Sequence, residues 1–247
     1  MRISPITNYS TNFGHHPDFN RLVNAKEPVT ASSYFRRGYS SWGGKFTDIV
    51  KTFQTIFSEN MNTPKKMLIV GVADSQEPFS YLATIKQIIK NTPIQNVLDL
   101  YIVDLQSAPD TEKLHKDSYT LGHLLPDYAK DGFKIKKHPQ KSFYNYKIKD
   151  ELFNFLNETY GNPLKSKWES RIQEVIKDYP DNYFDIISMN NVIFYLPEID
   201  KRSTVDNIYR TIKPEGCYIT EGDYYIMSSK FNDKMKNLHY GIFQKLK

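Results

Sequence analysis

The chain has 247 residues, 39% hydrophobic and 25% charged, which fits one large domain or two small ones and excludes collagen-like and fully disordered classes. Its net charge of +5 comes from 33 Lys and Arg against 28 Asp and Glu. These cations are spread, with small groups at Arg36–Arg37 and Lys134–Lys137, rather than gathered into the stripe a nucleic-acid binder shows.

The opening segment, Met1–Thr11, is polar and lacks the apolar stretch of a secretory leader. No run of about 18 apolar residues follows, so no membrane span is expected. The single cysteine, Cys217, has no internal disulfide partner and suits a reducing, cytoplasmic setting. The histidines, including the adjacent His15 and His16, lack the spacing of metal ligands, and no metal site is expected.

Residues 1–30 hold no sustained period and read as a loose arm. From Lys45 to Phe57, apolar residues recur at spacings of three and four, the pattern of an amphipathic helix. We divide the chain into this arm with its helix, 1–60, and a catalytic-type domain, 61–247. The run Lys65–Gly71 is short, apolar and ends on glycine, as a buried parallel strand does. Pro78 suits the first turn of a helix continuing to Ile89, and Val97–Asp104 is a second strand. Strand, helix and strand within about 40 residues form a βαβ unit and predict a parallel sheet.

The middle is less regular. Leu114–Tyr128 reads as helical, and Phe133–Phe143 as a Lys-rich hairpin or extended excursion. Helices are expected over Asp150–Leu156 and Trp168–Ile176, on either side of the Gly161-Asn162-Pro163 break. Phe184–Met189 is then a strand and Pro197–Ile212 a helix with Ile199, Val205, Ile208 and Ile212 on its apolar face. Pro214-Glu215-Gly216 reads as a turn, Cys217–Thr220 as a strand and His239–Lys245 as a last strand.

In open α/β sheets, ligands lie outside the carboxyl ends of the strands. Three candidate groups fall there. Gly71 lets a ligand approach the backbone, Asp104 ends the second strand as ribose-binding acids do, and Asn190-Asn191 ends the Phe184 strand. Gly71 and Asp104 are 33 positions apart, more than the roughly 20 of dinucleotide folds. The loop after Gly71 has no Lys-Ser/Thr pair, and Asp74 and Glu77 would repel phosphate. A ligand with a cationic end fits better, and S-adenosylmethionine carries both an ammonium and a sulfonium.

These residues resemble the CheR-type S-adenosylmethionine-dependent methyltransferases, which methylate glutamate side chains of chemoreceptors. The family's first motif, Gly-Cys-Ser-Thr-Gly-Glu-Glu-Pro-Tyr-Ser, is matched by Gly71-Val72-Ala73-Asp74-Ser75-Gln76-Glu77-Pro78-Phe79-Ser80. Its later motif, Phe-Asp-Leu-Ile-x-Cys-Arg-Asn-Val-x-Ile-Tyr-Phe, is matched by the thirteen-residue stretch from Phe184-Asp185-Ile186-Ile187 to Tyr195-Leu196. Ile212-Lys213-Pro214-Glu215-Gly216 answers its Leu-Lys-Pro-Gly-Gly, and Ser32-Ser33-Tyr34-Phe35-Arg36 its Thr-x-Phe-Phe-Arg. The landmarks cover roughly residues 30–223.

The resemblance implies a Rossmann-like class I fold, with a central, mostly parallel sheet flanked by helices. It implies S-adenosylmethionine as cofactor and S-adenosylhomocysteine as product. By position, Ser32, Gly71, Glu77, Asp104 and Asn191 would contact the cofactor, with Glu77 on its amino group and Asp104 on its ribose. Arg36 and Tyr195 would lie at the reactive centre. The acceptor it implies is a protein substrate offering carboxylates. On the residues alone, Arg36 is equally a carboxylate clamp or a surface ion pair, and Tyr195 an orienting group or an aromatic wall. The chain departs from the family at Asp74-Ser75, where the motif has Thr-Gly, and at Asn190, where it has Arg. Those departures keep open a catalytically degenerate module that binds S-adenosylmethionine or its product. A nucleic-acid methyltransferase ranks behind both, because no Asn/Asp-Pro-Pro-Tyr motif is present.

Overall fold

The computed structural model describes residues 45–58, 63–72, 75–110, 119–120, 127–137, 144–190, 192–220, 231, 233–239 and 241–247. The expected N-terminal arm, with Ser32 and Arg36, lies outside these residues, as do Ala73, Asp74 and Asn191.

The alternation of apolar residues builds one twisted sheet with both faces covered. Strands β1 (Lys65–Val70), β2 (Leu98–Val103), β6 (Ser166–Lys167), β7 (Phe184–Met189) and β8 (Ile212–Thr220) run parallel, and the C-terminal pair β9 (Met235–His239) and β10 (Ile242–Lys245) completes the sheet. The spatial order is β6-β2-β1-β7-β8-β10-β9, with β10 antiparallel to both neighbours. On one face, Met67, Ile69, Leu100, Ile102 and Ile186 pack under α1 (Lys45–Ser58), α2 (Gln76–Ile89) and α3 (Asp150–Gly161). On the other, Leu68, Val70, Tyr101, Val103 and Ile187 pack under α4 (Ile172–Asp178) and α5 (Glu198–Thr211). Burial on both faces explains why the central strands read as mainly apolar runs, interrupted only by Asp99 in β2 and Asp185 and Ser188 in β7.

Helix α1 buries Ile49, Val50, Phe53 and Phe57 along one stripe, with the Phe53 ring edge-on to Tyr81 of α2. Pro78 sits in the first turn of α2, where a backbone N–H would have no intrahelical acceptor. The expected strands at Lys65–Gly71, Val97–Asp104 and Phe184–Met189 are present to within a residue at each end.

Between β2 and β6 the chain makes a three-stranded antiparallel sheet, in the order β3-β5-β4, from β3 (Tyr119–Thr120), β4 (Phe133–Lys137) and β5 (Tyr144–Ile148). Of the Lys-rich segment Phe133–Phe143, read as a hairpin or an extended excursion, residues Phe133–Lys137 form one strand, and its partner Tyr144–Ile148 lies just beyond the segment. The helix expected over Leu114–Tyr128 does not hold: Tyr119–Thr120 pairs with β5, and a 3-10 turn starts at Asp127. Most of that stretch lies outside the described residues. Phe133 faces Ile148 across the hairpin, both are buried, and together they anchor it in the core. Gly132, just before β4, has Ala83 of α2 against it with no room for a Cβ.

Three further readings are corrected. The Pro214-Glu215-Gly216 turn lies inside β8 as an enlarged bulge, because three extra residues fall between the pairs Phe184–Ile212 and Ile186–Cys217. Glu215 takes a left-handed φ of 65° there, and the Gly216 Cα faces the Asp185 carbonyl too closely for a side chain. The last strand is a hairpin of two, closed at Gly241 with φ 69°. Ile199 is exposed at the start of α5, while Val205 and Ile208 carry its buried face.

Candidate active site

Strand order reverses at β1, because the chain runs outward through β2 to β6 and then returns to place β7 on the other side of β1. A crevice at the carboxyl end of such a switch point is where open α/β sheets take ligands. Four of the residues expected at a site are described: Gly71, Glu77 and Asp104 lie at or just beyond the carboxyl ends of β1 and β2, and Tyr195 in the 3-10 turn that follows β7.

Gly71 leaves β1 at φ 77°, a conformation that favours glycine, and its N–H donates to the Val103 carbonyl at 2.8 Å. A Cβ at Gly71 would collide with the side chain of Val192. The chain reaches α2 through Ser75, which is fully buried with φ 67° and ψ 10°. Ser75 stands where the CheR-type motif has glycine, and its left-handed backbone explains why glycine serves there. Its hydroxyl does not cap the helix. It pairs instead with the Tyr160 hydroxyl of α3 at 2.8 Å. Trp168 in turn donates Nε1–H to the Tyr160 carbonyl at 3.1 Å and sets its ring edge-on to Tyr160. Part of the 150–177 segment is thus a wall that braces the β1–α2 loop.

Asp104 is 5% exposed and both its oxygens accept backbone hydrogen bonds, Oδ2 from Val72 N–H at 2.6 Å and Oδ1 from Gln106 N–H at 2.8 Å. It ties the loop after β1 to the loop after β2. Any ribose hydroxyl it met would share those oxygens.

Glu77 lies on the second residue of α2, where a carboxylate also benefits from the helix dipole. Its Oε1 accepts from the Ser188 hydroxyl at 2.6 Å and from the Asn190 amide at 2.8 Å. The Tyr81 hydroxyl, one turn along α2, is 3.0 Å from Ser188 Oγ and 3.1 Å from Asn190 Nδ2. The Tyr81 phenol is held well above its usual pKa, chiefly by burial and then by the Glu77 charge. The cluster joins the helix after β1 to the end of β7 and spans the switch point. Tyr195 and its neighbour Phe194 are half exposed beside it in sequence, on the loop leaving β7.

Sequence reasoning placed Glu77, Asp104 and Asn190 at the ligand edge. It missed Tyr81, Ser188 and Tyr160. Ser188 had one usable signal, a lone hydroxyl inside an apolar strand. Tyr81 and Tyr160 had none, because a tyrosine at a helical core position looks like packing. Among the described residues, no group of three or more His, Cys, Asp or Glu is placed to hold a metal, and no helix is long and apolar enough to cross a membrane.

Numbered along the chain within the large sheet, the strand order is 3-2-1-4-5-7-6 with the seventh strand antiparallel, which is the Rossmann-like class I methyltransferase fold. Residues 136–220 match the model of a family described as a methyltransferase domain, a stretch that includes Ser188, Asn190 and Tyr195. The methyl donor that goes with this domain is S-adenosylmethionine. No curated protein matches the sequence. Among solved structures, an S-adenosylmethionine-dependent methyltransferase from Archaeoglobus fulgidus is 12% identical over 74% of this chain and 57% of its own, with a TM-score of 0.33. The carbon methyltransferase DszA is 12% identical over 83% and 44%, with a TM-score of 0.39. An arsenic(III) S-adenosylmethionine methyltransferase from Chlamydomonas reinhardtii is 12% identical over 68% and 48%, with a TM-score of 0.31. The chain spans between about a third and three-fifths of the first such structures it resembles, and likenesses this slight carry no argument about activity.

Proposed function

We propose that the chain is an S-adenosylmethionine-dependent methyltransferase that methylates a carboxylate or a related acceptor, in the manner of the CheR-type enzymes it resembles. The observation that carries this reading is the Glu77 carboxylate, held by Ser188 and Asn190 at the end of β7, across the switch point from β1. A carboxylate there is the chemistry that takes an ammonium group.

When bound, S-adenosylmethionine would supply an electrophilic methyl: an O–CH3 bond to the acceptor would form as the CH3–S bond breaks, with neutral S-adenosylhomocysteine as the leaving group. A carboxylate acceptor is ionised at neutral pH and needs no strong base, so the chain's work is positioning. Glu77 binds the ammonium. Asp104 fixes the two loops that frame the ribose and offers its remaining lone pairs to the hydroxyls. Asn191 and Ser32 complete the cofactor contacts. Arg36 clamps the acceptor carboxylate through two parallel N–H bonds, and Tyr195 walls the reactive centre. A protein segment bearing Asp or Glu is the acceptor that fits these roles.

Calorimetric titration with S-adenosylmethionine and with S-adenosylhomocysteine tests the reading. Micromolar binding of both is expected, weakened at least about tenfold in Glu77→Ala, since a charge-assisted hydrogen bond is lost. Absence of binding by either would overturn it. Binding without methyl transfer to any carboxylate peptide or small acid would instead favour the degenerate binding module.

A further inference from the structure

Ser188 and Tyr81 lie behind Glu77, and the Ser188 proton can be assigned. Ser188 has one hydroxyl proton, and the 2.6 Å contact to Glu77 Oε1 uses it. The Tyr81 phenol has one proton for two neighbours, the Glu77 carboxylate, to which it is also hydrogen-bonded, and Ser188 Oγ at 3.0 Å. The result is a cluster in which Ser188 O–H donates to Glu77, the Tyr81 hydroxyl lies against both, and the Asn190 amide donates from the side. Ser188 is fully buried and Tyr81 is 2% exposed, so bulk water does not replace these donors. Burial keeps the phenol protonated throughout the working pH range. Ser188 pairs with Ile69 in the sheet, two residues before Gly71, so the cluster is anchored in the central strands.

We propose that Ser188 and Tyr81 are positioning residues that aim the Glu77 carboxylate at the ammonium end of the cofactor and so set the selectivity of the site for an amino-acid-bearing nucleoside. The proposal rests on the reading of this crevice as the S-adenosylmethionine site. Neither residue touches the ligand. Each acts through Glu77, and a hydroxyl removed from either lets the carboxylate turn away or share its charge with fewer donors.

The test uses two ligands and the full chain. S-adenosylhomocysteine carries the ammonium, and 5′-methylthioadenosine lacks the whole amino-acid end. In Ser188→Ala, affinity for S-adenosylhomocysteine should fall about tenfold and in Tyr81→Phe about threefold, from the loss of a hydrogen bond to or towards a charged group. Affinity for 5′-methylthioadenosine should stay within about twofold, the scatter of independent sites. In a Glu77→Gln background, both losses should shrink to within the same margin. Equal losses for the two ligands would mean that the hydroxyls merely hold the fold, and would overturn the proposal. Full additivity with Glu77→Gln would overturn it as well. A wild-type chain that binds the two ligands equally would overturn the role of Glu77 while leaving the nucleoside site standing. A wild-type chain that binds neither would remove the site reading and this proposal together.

Discussion

Replacing Asp104 by alanine should destabilise the ligand-free protein and not only weaken binding. Both carboxylate oxygens are used, by Val72 N–H at 2.6 Å and Gln106 N–H at 2.8 Å, and the residue is 5% exposed. Hydrogen bonds to a charged group contribute about 1.5–3 kcal/mol each, and removing the acceptor strands the buried Val72 donor, whereas exposed Gln106 can turn its N–H to water. Two such bonds set a ceiling of about 6 kcal/mol; partial relaxation of two loops brings the expected loss to about 3 kcal/mol. Asp104→Asn keeps one carbonyl acceptor but turns an amide NH2 towards the other backbone donor, so it should recover about half of that loss. Urea unfolding without ligand is the assay. With a slope of about 2 kcal/mol per molar, the Asp104→Ala midpoint should fall by about 1.5 M. A fall corresponding to less than about 1 kcal/mol would show that these bonds do not brace the loops, and the argument from geometry would fail.

Three further outcomes follow from the same coordinates. Gly71→Ala should cost at least about 1–2 kcal/mol, because alanine is strained at φ 77° and its Cβ collides with Val192; an unchanged thermal midpoint would contradict this. Tyr160→Phe should cost about 1 kcal/mol by stranding the buried Ser75 hydroxyl, and should cost nothing further in Ser75→Gly, which has no hydroxyl to strand; a double-mutant cycle reads the coupling. Burial pushes the Cys217 thiol up to about 12, so its contribution to stability is full below about pH 9 and is lost as the pH climbs from there towards 12. Cys217→Ala should flatten that part of the alkaline stability curve. A thiol reagent at pH 8 should label Cys217 only on unfolding, and rapid native labelling would contradict its burial.

The parts of the fold that were legible share a physical cause. β1, β2 and β7 are buried on both faces, so their sequences are mainly apolar and end at Gly71, Asp104 and Asn190, and they show both the strands and the ligand edge. Residues 212–220 were not legible as one strand. Pro214, Glu215 and Gly216 carry every local mark of a turn, yet flanking pairs with β7 absorb them as a bulge. The short pairing of Tyr119–Thr120 with β5 is likewise a tertiary choice that no local period announces. In the site, Glu77 was visible because it opens a helix directly after a strand. Ser188 and Asn190 lie 111 and 113 positions away from it, and only the crossover that returns the chain to β1 brings them together. Tyr160 reaches Ser75 across 85 positions in the same way.

The central claim is that Glu77, at the switch point between β1 and β7, receives the ammonium of an S-adenosyl ligand. A crystal structure with S-adenosylhomocysteine tests it most directly. The account predicts the ligand at the carboxyl edge of the sheet, its amino nitrogen within hydrogen-bond distance of Glu77 and its chain passing over Gly71. A ligand bound elsewhere, or in that crevice with its amino group turned away from Glu77, would contradict it.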